Sequence, residues 1–248
     1  MIDVSFDFTS DSKGYWDGFL DRDPLAGVGG SDPDVASSTL KEYHRLLWSK
    51  KLPNGETMNL ISRKAPYYLT WKDFCFGSDT LIVGFRYVRN KHIIKQVNDM
   101  QDDYRVYWEN LFRKAYTIGG AIIFPVHRSS MNQRRGCNKI ISDRWDLTLE
   151  CIRRYYNGED SPLYRVICGD KDFFDLFVDF RGYVDFFLLQ DAVSDDYSSV
   201  NIWEGDGSLT GDGLPITLED YLSFVEKEFD FLEKRNRRIN EYAVAHRL

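Results

Sequence analysis

Apolar residues recur every three or four positions along most of this chain, and every second position only in a few short runs. The longest stripe is Leu218, Leu222, Val225, Phe229, Leu232 and Ile239. Thr217, with Asp220 three residues on, opens it as an Asp-containing variant of the capping box. A long C-terminal helix is predicted, with a stripe that lapses over Glu241–Leu248, where its end is expected to fray. Trp145, Leu149, Ile152 and Tyr156 predict a helix from about Ser142 to Tyr156, and Tyr104, Trp108, Leu111 and Ala115 one from about Asp102 to Tyr116. Ile93, Ile94 and Val97 mark a shorter one. Ser37 or Ser38 is placed to cap a helix carrying Leu40, Tyr43 and Leu47 as far as about Lys51. The Phe- and Leu-rich stretch Phe173–Val193 predicts two buried helices broken near Arg181–Gly182.

The period-2 runs are fewer. Val4, Phe6 and Phe8 alternate with polar residues and predict a strand, and short strands are expected at Met58–Ile61, Tyr67–Trp71 and Thr80–Phe85. Ile118–Pro125 reads as a buried strand entered through Gly119–Gly120 and stopped by proline. Leu52–Gly55 has the composition of a turn, and the stretches 21–34, 127–138 and 194–215 read as loops. The pattern therefore predicts an α+β fold, predominantly helical, with a small N-terminal β-sheet packed with helices and a long C-terminal helix. Nothing divides residues 1–248, which read as a single globular domain.

Composition narrows the class. With 43% hydrophobic and 29% charged residues a packed core is feasible, and aromatics at 15% stock it well. A net charge of −7 argues against a protein that coats nucleic acid through a globally basic surface. Met1–Asp7 has no basic and apolar halves of a signal peptide, and no apolar run reaches the roughly 18 residues that span a bilayer. The four cysteines and four histidines are scattered without zinc spacing or the density of a disulfide scaffold. The expectation is a cytoplasmic protein without a membrane contact, a metal centre or a cofactor that can be named.

Charge is unevenly placed. Residues 128–154 hold seven Lys/Arg against three Asp/Glu, whereas residues 155–220 hold three against fifteen. The basic excess concentrates in Arg128, Arg134, Arg135 and Lys139, with Arg144 close behind. Arginine offers a forked donor set for phosphate, and Asn132 adds a neutral donor, so these six residues are the candidate ligand-binding set. The competing reading is that the basic loop complements the acidic segment within the chain and binds no ligand.

Catalytic signals are weak. Asp146 and Glu150 are four apart on one helix face, as a metal-binding or acid–base pair would be, although Glu150 and Arg154 at the same spacing point to surface ion pairing. Asp179 lies in a very apolar stretch with Arg181, where a charge needs a partner or a route to solvent. His127, beside the basic loop, is a candidate acid or base. No phosphate-cradling glycine loop, nucleophile elbow or zinc-protease helix occurs.

The strings Tyr43-His44-Arg45-Leu46-Leu47-Trp48-Ser49-Lys50, Thr117-Ile118-Gly119-Gly120, Asp143 to Tyr156 and Asp179-Phe180-Arg181-Gly182-Tyr183-Val184 resemble an uncharacterised bacterial family carried under a domain-of-unknown-function label. The resemblance covers nearly the whole chain; it implies a bacterial, intracellular protein and supplies no activity. Thr117-Ile118-Gly119, an apolar run, Pro125, Ser130 and Asn132 are also similar to a T-I-G-N…N-S segment of some DNA-cleaving proteins of bacterial phage defence. Here Gly120 stands where that segment has Asn, and no histidine cluster precedes it.

Two functions follow as expectations. One is a non-catalytic binding or adaptor protein whose basic loop, residues 128–139, contacts nucleic acid, a nucleotide or another anionic partner such as an acidic protein surface. The other is a metal-dependent phosphoesterase or nuclease-like hydrolase in which Asp146, Glu150 and Asp179 hold a divalent cation while Arg135 and Arg144 bind phosphate.

Overall fold

A computed structural model of the chain describes residues 1–12, 32–63, 68–81, 91–126, 131, 135, 140–205, 207–209 and 213–248. Helices dominate. In chain order they are α1 (Pro33–Ala36), α2 (Ser38–Trp48), α3 (Lys91–Met100), α4 (Tyr104–Ala115), α5 (Trp145–Tyr156), α6 (Tyr164–Gly169), α7 (Lys171–Phe174), α8 (Phe180–Phe186) and α9 (Leu218–His246). Four strands, β1 (Ile61–Ser62), β2 (Leu69–Trp71), β3 (Phe74–Thr80) and β4 (Ala121–Pro125), form one antiparallel sheet in that order. The fold is α+β and predominantly helical, with the long C-terminal helix the pattern predicts.

Strand β4 is buried at every position and pairs with β3 in the register Gly77↔Phe124 and Asp79↔Ile122. The pair continues past its end through Leu81 N–H to the Gly120 carbonyl at 2.7 Å. Residues 118–120, expected in this strand, instead make a 3-10 turn against α9. A Cβ on Gly120 would collide with the carbonyl oxygen of Ala115, and one on Gly119 would lie 2.6 Å from Asn236 Oδ1. Glycine is what lets turn, helix α4 and helix α9 come this close.

Several expected elements move. The strand expected at Val4–Phe8 is absent, because Asp3 and Asp7 turn back to accept from the N–H groups of Ser5 and Thr9 at 2.9 Å each. Such local bonds compete with extended pairing, and Phe8–Asp11 forms a 3-10 turn instead. Of the strand expected at Met58–Ile61 only Ile61 lies in a strand, β1, which extends one residue further to Ser62. The strand expected at Thr80–Phe85 is displaced: β3 ends at Thr80, and residues 82–85 lie outside the described residues. Within Phe173–Val193 the break falls at Val178–Asp179 rather than at Arg181–Gly182. Val178 turns with φ +70°, and Asp179 caps α8 by accepting from Gly182 N–H at 2.7 Å. Gly182 lies inside α8, where a Cβ would collide with the Phe177 carbonyl.

Ser37 caps α2, accepting from Leu40 N–H at 3.0 Å while its own hydroxyl donates to Asp11 at 2.7 Å. Thr217 and Asp220 make both halves of the capping box that opens α9. That helix continues to His246, beyond the lapse of its stripe, and closes with Leu248 N–H on the Ala243 carbonyl at 3.0 Å. The aromatic stretch condenses into a cluster in which Phe173, Phe177, Tyr183, Phe186 and Phe187 meet at centroid separations of 5.0–6.5 Å. Trp48 joins it from the end of α2.

Helix α9 braces this interior with one cation. Arg235, fully buried, donates to the carbonyls of Gly119 at 2.6 Å, Ala121 at 3.0 Å and Phe187 at 3.1 Å. No carboxylate pairs with it among the described residues. Burial accordingly pulls its pKa down to about 9.

Candidate functional site

Strand β3 carries a cluster of buried polar groups. Its inward positions are Phe76, Ser78 and Thr80, so two hydroxyls face the core where the period-2 rule expects hydrocarbon. Both are satisfied by one carboxylate. Ser78 donates to Asp34 Oδ1 at 2.7 Å and Thr80 to Oδ2 at 2.6 Å. The short helix α1, capped by Asp32, presents Asp34 to them. Behind Ser78 stands His44, whose Nε2 lies 3.1 Å from the serine oxygen. Trp48 Nε1–H donates to His44 Nδ1 at 2.9 Å, which leaves the proton on Nε2. A directed chain of hydrogen bonds thus runs from Trp48 through His44 and Ser78 to Asp34.

Arg135 enters from the other side. Its Nε lies 3.0 Å from Asp79, its Nη1 3.5 Å from Asp143, and its Nη2 donates to the Thr80 carbonyl at 2.7 Å. The guanidinium also sits over the Trp145 ring at 5.7 Å. Two carboxylates on one guanidinium, with Asp34 close by on Thr80, leave surplus negative charge in a poorly solvated place. Burial raises Asp79 to about 7, with the Arg135 charge opposing, and burial raises Asp34 to about 6. Burial drives His44 down to about 3, so the ring is neutral.

A second interior cluster sits at the start of α5. Arg144, fully buried, donates to both oxygens of Asp146 at 3.0 and 2.6 Å, and to the Gly213 carbonyl at 2.6 Å. Asp146 also accepts from the N–H groups of Leu147 at 2.8 Å and Trp203 at 2.9 Å. The guanidinium lies over the rings of Trp203 and Phe224, 5.4 Å from each centroid. Glu228 of α9 faces this pair; burial first, and the Asp146 charge second, push it up to about 8.

The structure places the sequence-derived candidates as follows. Arg135 and Arg144 are 2% and 0% exposed, each engaged with interior carboxylates, so neither guanidinium faces solvent as a phosphate donor would. For Arg144 the reason is local, since it caps the helix whose first turn carries Asp146; for Arg135 it is tertiary, since Asp79 comes from strand β3. Glu150 is held by Arg153 at 2.7 and 3.0 Å and by Arg154 at 2.7 Å, which is the ion pairing its spacing allowed. Asp179 is an N-cap, and Arg181 stacks on Tyr197 at 4.3 Å. Asp146, Glu150 and Asp179 therefore have separate partners. His127, Arg128, Asn132, Arg134 and Lys139 lie outside the described residues.

Among the described residues, the carboxylates of the acidic segment divide their contacts among several elements, the basic segment included. Asp191 pairs with Arg238, Glu159 with Arg153, Asp175 with Lys171, and Asp196 accepts from Ser194 and Ser198. Two of these carboxylates meet the basic segment: Glu159 at Arg153, and Asp170, which accepts from Met131 N–H at 2.9 Å. Sequence reasoning missed Asp34, His44, Ser78, Asp79, Thr80 and Glu228. The available signal was Gly-Ser-Asp-Thr ending an aromatic alternation, which puts hydroxyls at i and i+2 of a buried strand face.

Fold and clusters together define a mostly helical α+β protein in which Arg135, Arg144 and Arg235 are held inward. Residues 2–239 match the model of a family of unknown function (DUF6994), and the chain belongs to that family. No curated protein and no solved structure matches it. No helix among the described residues is long and apolar enough to cross a membrane.

Proposed function

We propose that this protein is a non-catalytic binding or adaptor protein, cytoplasmic, whose basic segment 128–139 contacts an anionic partner, with nucleic acid the first to be tested. The observation that supports it is the anchoring of that segment at two points one helical turn apart. Met131 is fully buried and bonded to Asp170, Arg135 is bound between Asp79 and Asp143, and Arg135 N–H donates to the Met131 carbonyl at 3.0 Å. In this reading Arg135 and Arg144 are positioning residues, and contact with the partner falls to Arg128, Asn132, Arg134 and Lys139. Binding is favoured over metal-dependent hydrolysis because Asp146, Glu150 and Asp179 each already have their own partners. A role in phage defence is not part of the proposal, since Gly120 has no room for the side chain that the nuclease-associated segment carries.

The test is fluorescence anisotropy with labelled single- and double-stranded DNA and RNA at low and moderate salt. Saturable binding that weakens with salt, and that Arg128→Ala/Arg134→Ala/Lys139→Ala abolishes in a normally folded protein, supports the proposal. No binding to any of them at low salt overturns the nucleic-acid form of it. The search then moves to acidic proteins and nucleotides.

A further inference from the structure

A cleft of about 690 Å³ opens between the end of α2, the start of α8 and the last turns of α9. That volume suits a small organic molecule. At its wall stands Lys50, whose Nζ lies 5.0 Å from the ring centre of Trp48, 4.6 Å from Phe186 and 4.5 Å from Tyr242. Three ring faces stabilise an ammonium electrostatically, but they accept no conventional hydrogen bond. Among the described residues Lys50 Nζ forms neither a hydrogen bond nor an ion pair.

The carboxylates of the cleft are engaged elsewhere. Asp179 caps α8, and Asp185 accepts from Gln190 at 2.8 Å and from the Tyr197 hydroxyl at 2.7 Å. The cations are less committed. Arg181, exposed at the rim, stacks on Tyr197 without an ion pair among the described residues, and Lys51 and His246 also line the opening. Leu52, Pro53, Phe186 and Tyr242 supply apolar wall.

We propose that this cleft binds a small organic acid with a flat apolar body, its anionic group facing Lys50 and Arg181 and its body against Phe186 and Tyr242. The electrostatics of the free protein fit this. Burial and the Arg235 charge pull the Lys50 pKa down to about 7, with Asp185 opposing. The groups that face Lys50 are Lys51 on its own segment, Asp179 at the cap of α8, Arg181 and Asp185 on α8, and Arg235, Tyr242 and His246 on α9. A bound carboxylate restores the ammonium, so binding takes up a proton above neutrality.

The full chain is titrated with benzoate, followed by amide NMR at pH 6.5 and 8.0, with benzylamine and inorganic phosphate as comparison probes. Benzoate is expected to shift the amides of Lys50–Leu52, Arg181–Gly182 and Tyr242 saturably, with affinity about tenfold weaker at pH 8.0 where the free amine is mostly neutral. Benzylamine and phosphate should leave them unmoved. Lys50→Met should abolish the response, Lys50→Arg should keep it and remove its pH dependence, and Arg181→Gln, at an exposed position, should weaken it several-fold. The proposal is overturned if benzoate leaves these amides unmoved, or if it binds equally well to Lys50→Met or Arg181→Gln.

Discussion

Arg144 and Asp146, two residues apart at the first turn of α5, form a two-pronged ion pair of 2.6 and 3.0 Å with the arginine wholly out of solvent. The two aromatic rings against the guanidinium, and the main-chain N–H groups of Leu147 and Trp203 on the carboxylate, complete the desolvation of both charges. Such a pair holds structure less by its own attraction than by the penalty for leaving either half alone.

Arg144→Leu should therefore destabilise the protein by about 3–5 kcal/mol in urea unfolding, because Asp146 is left buried without its counter-charge. Adding Asp146→Leu should return part of that loss. A single variant within about 1 kcal/mol of wild type would show that the pair does not hold this corner.

Glu228 extends the same cluster to pH. Its folded-state pKa, about 8, lies above the ordinary value of 4.5, so the folded protein keeps a proton that the unfolded chain releases. Its stabilising contribution is complete below pH 4.5 and is lost as pH rises towards 8, at up to about 1.4 kcal/mol per pH unit. Glu228→Gln should remove this loss. The variant's stability advantage over wild type should grow steadily from pH 5 to pH 8 in parallel urea titrations, and a constant difference would contradict the assignment.

His44 shifts in the opposite sense. Held neutral by burial, with a pKa of about 3, it should show no titration of its ring resonances between pH 8 and pH 5. Long-range proton–nitrogen NMR should place its hydrogen on Nε2, as the bond from Trp48 requires. A ring that titrates near 6.5 would mean that the Trp48–His44–Ser78 chain is open to water.

Gly120 offers a steric test. Gly120→Ala must push helix α4 away from the turn at residues 118–120, and overpacking of this kind costs about 1–3 kcal/mol. Gly120→Asn should cost more. Thermal unfolding of the two beside wild type reads this directly; unchanged melting would mean that the Ala115 carbonyl yields freely.

The helices were legible because their stripes are long and their caps conventional: Thr217 with Asp220 and Ser37 both announce a start that the structure keeps. Strands were read less well. In β3 the buried face is Phe76, Ser78 and Thr80, and hydroxyls at core positions hide a strand from any rule that counts hydrocarbon. The same substitution of hydroxyl for hydrocarbon creates the Asp34 cluster, so the missed strand and the missed site are one omission. Arg135 and Arg144 read as surface cations because sequence lists their charge and not their counter-charges. Asp79 is 56 residues from Arg135, and that pairing exists only once the sheet has formed.

Helix α9 follows in the chain every element it braces. The carbonyls of Gly119, Ala121 and Phe187 have no Arg235 until residues 218–246 have been made, so a nascent chain arrested near residue 210 lacks the cation that joins its sheet to its aromatic cluster. The core described above is completed by its last helix, and synthesis order makes final closure an event that must wait for release of that helix from the ribosome.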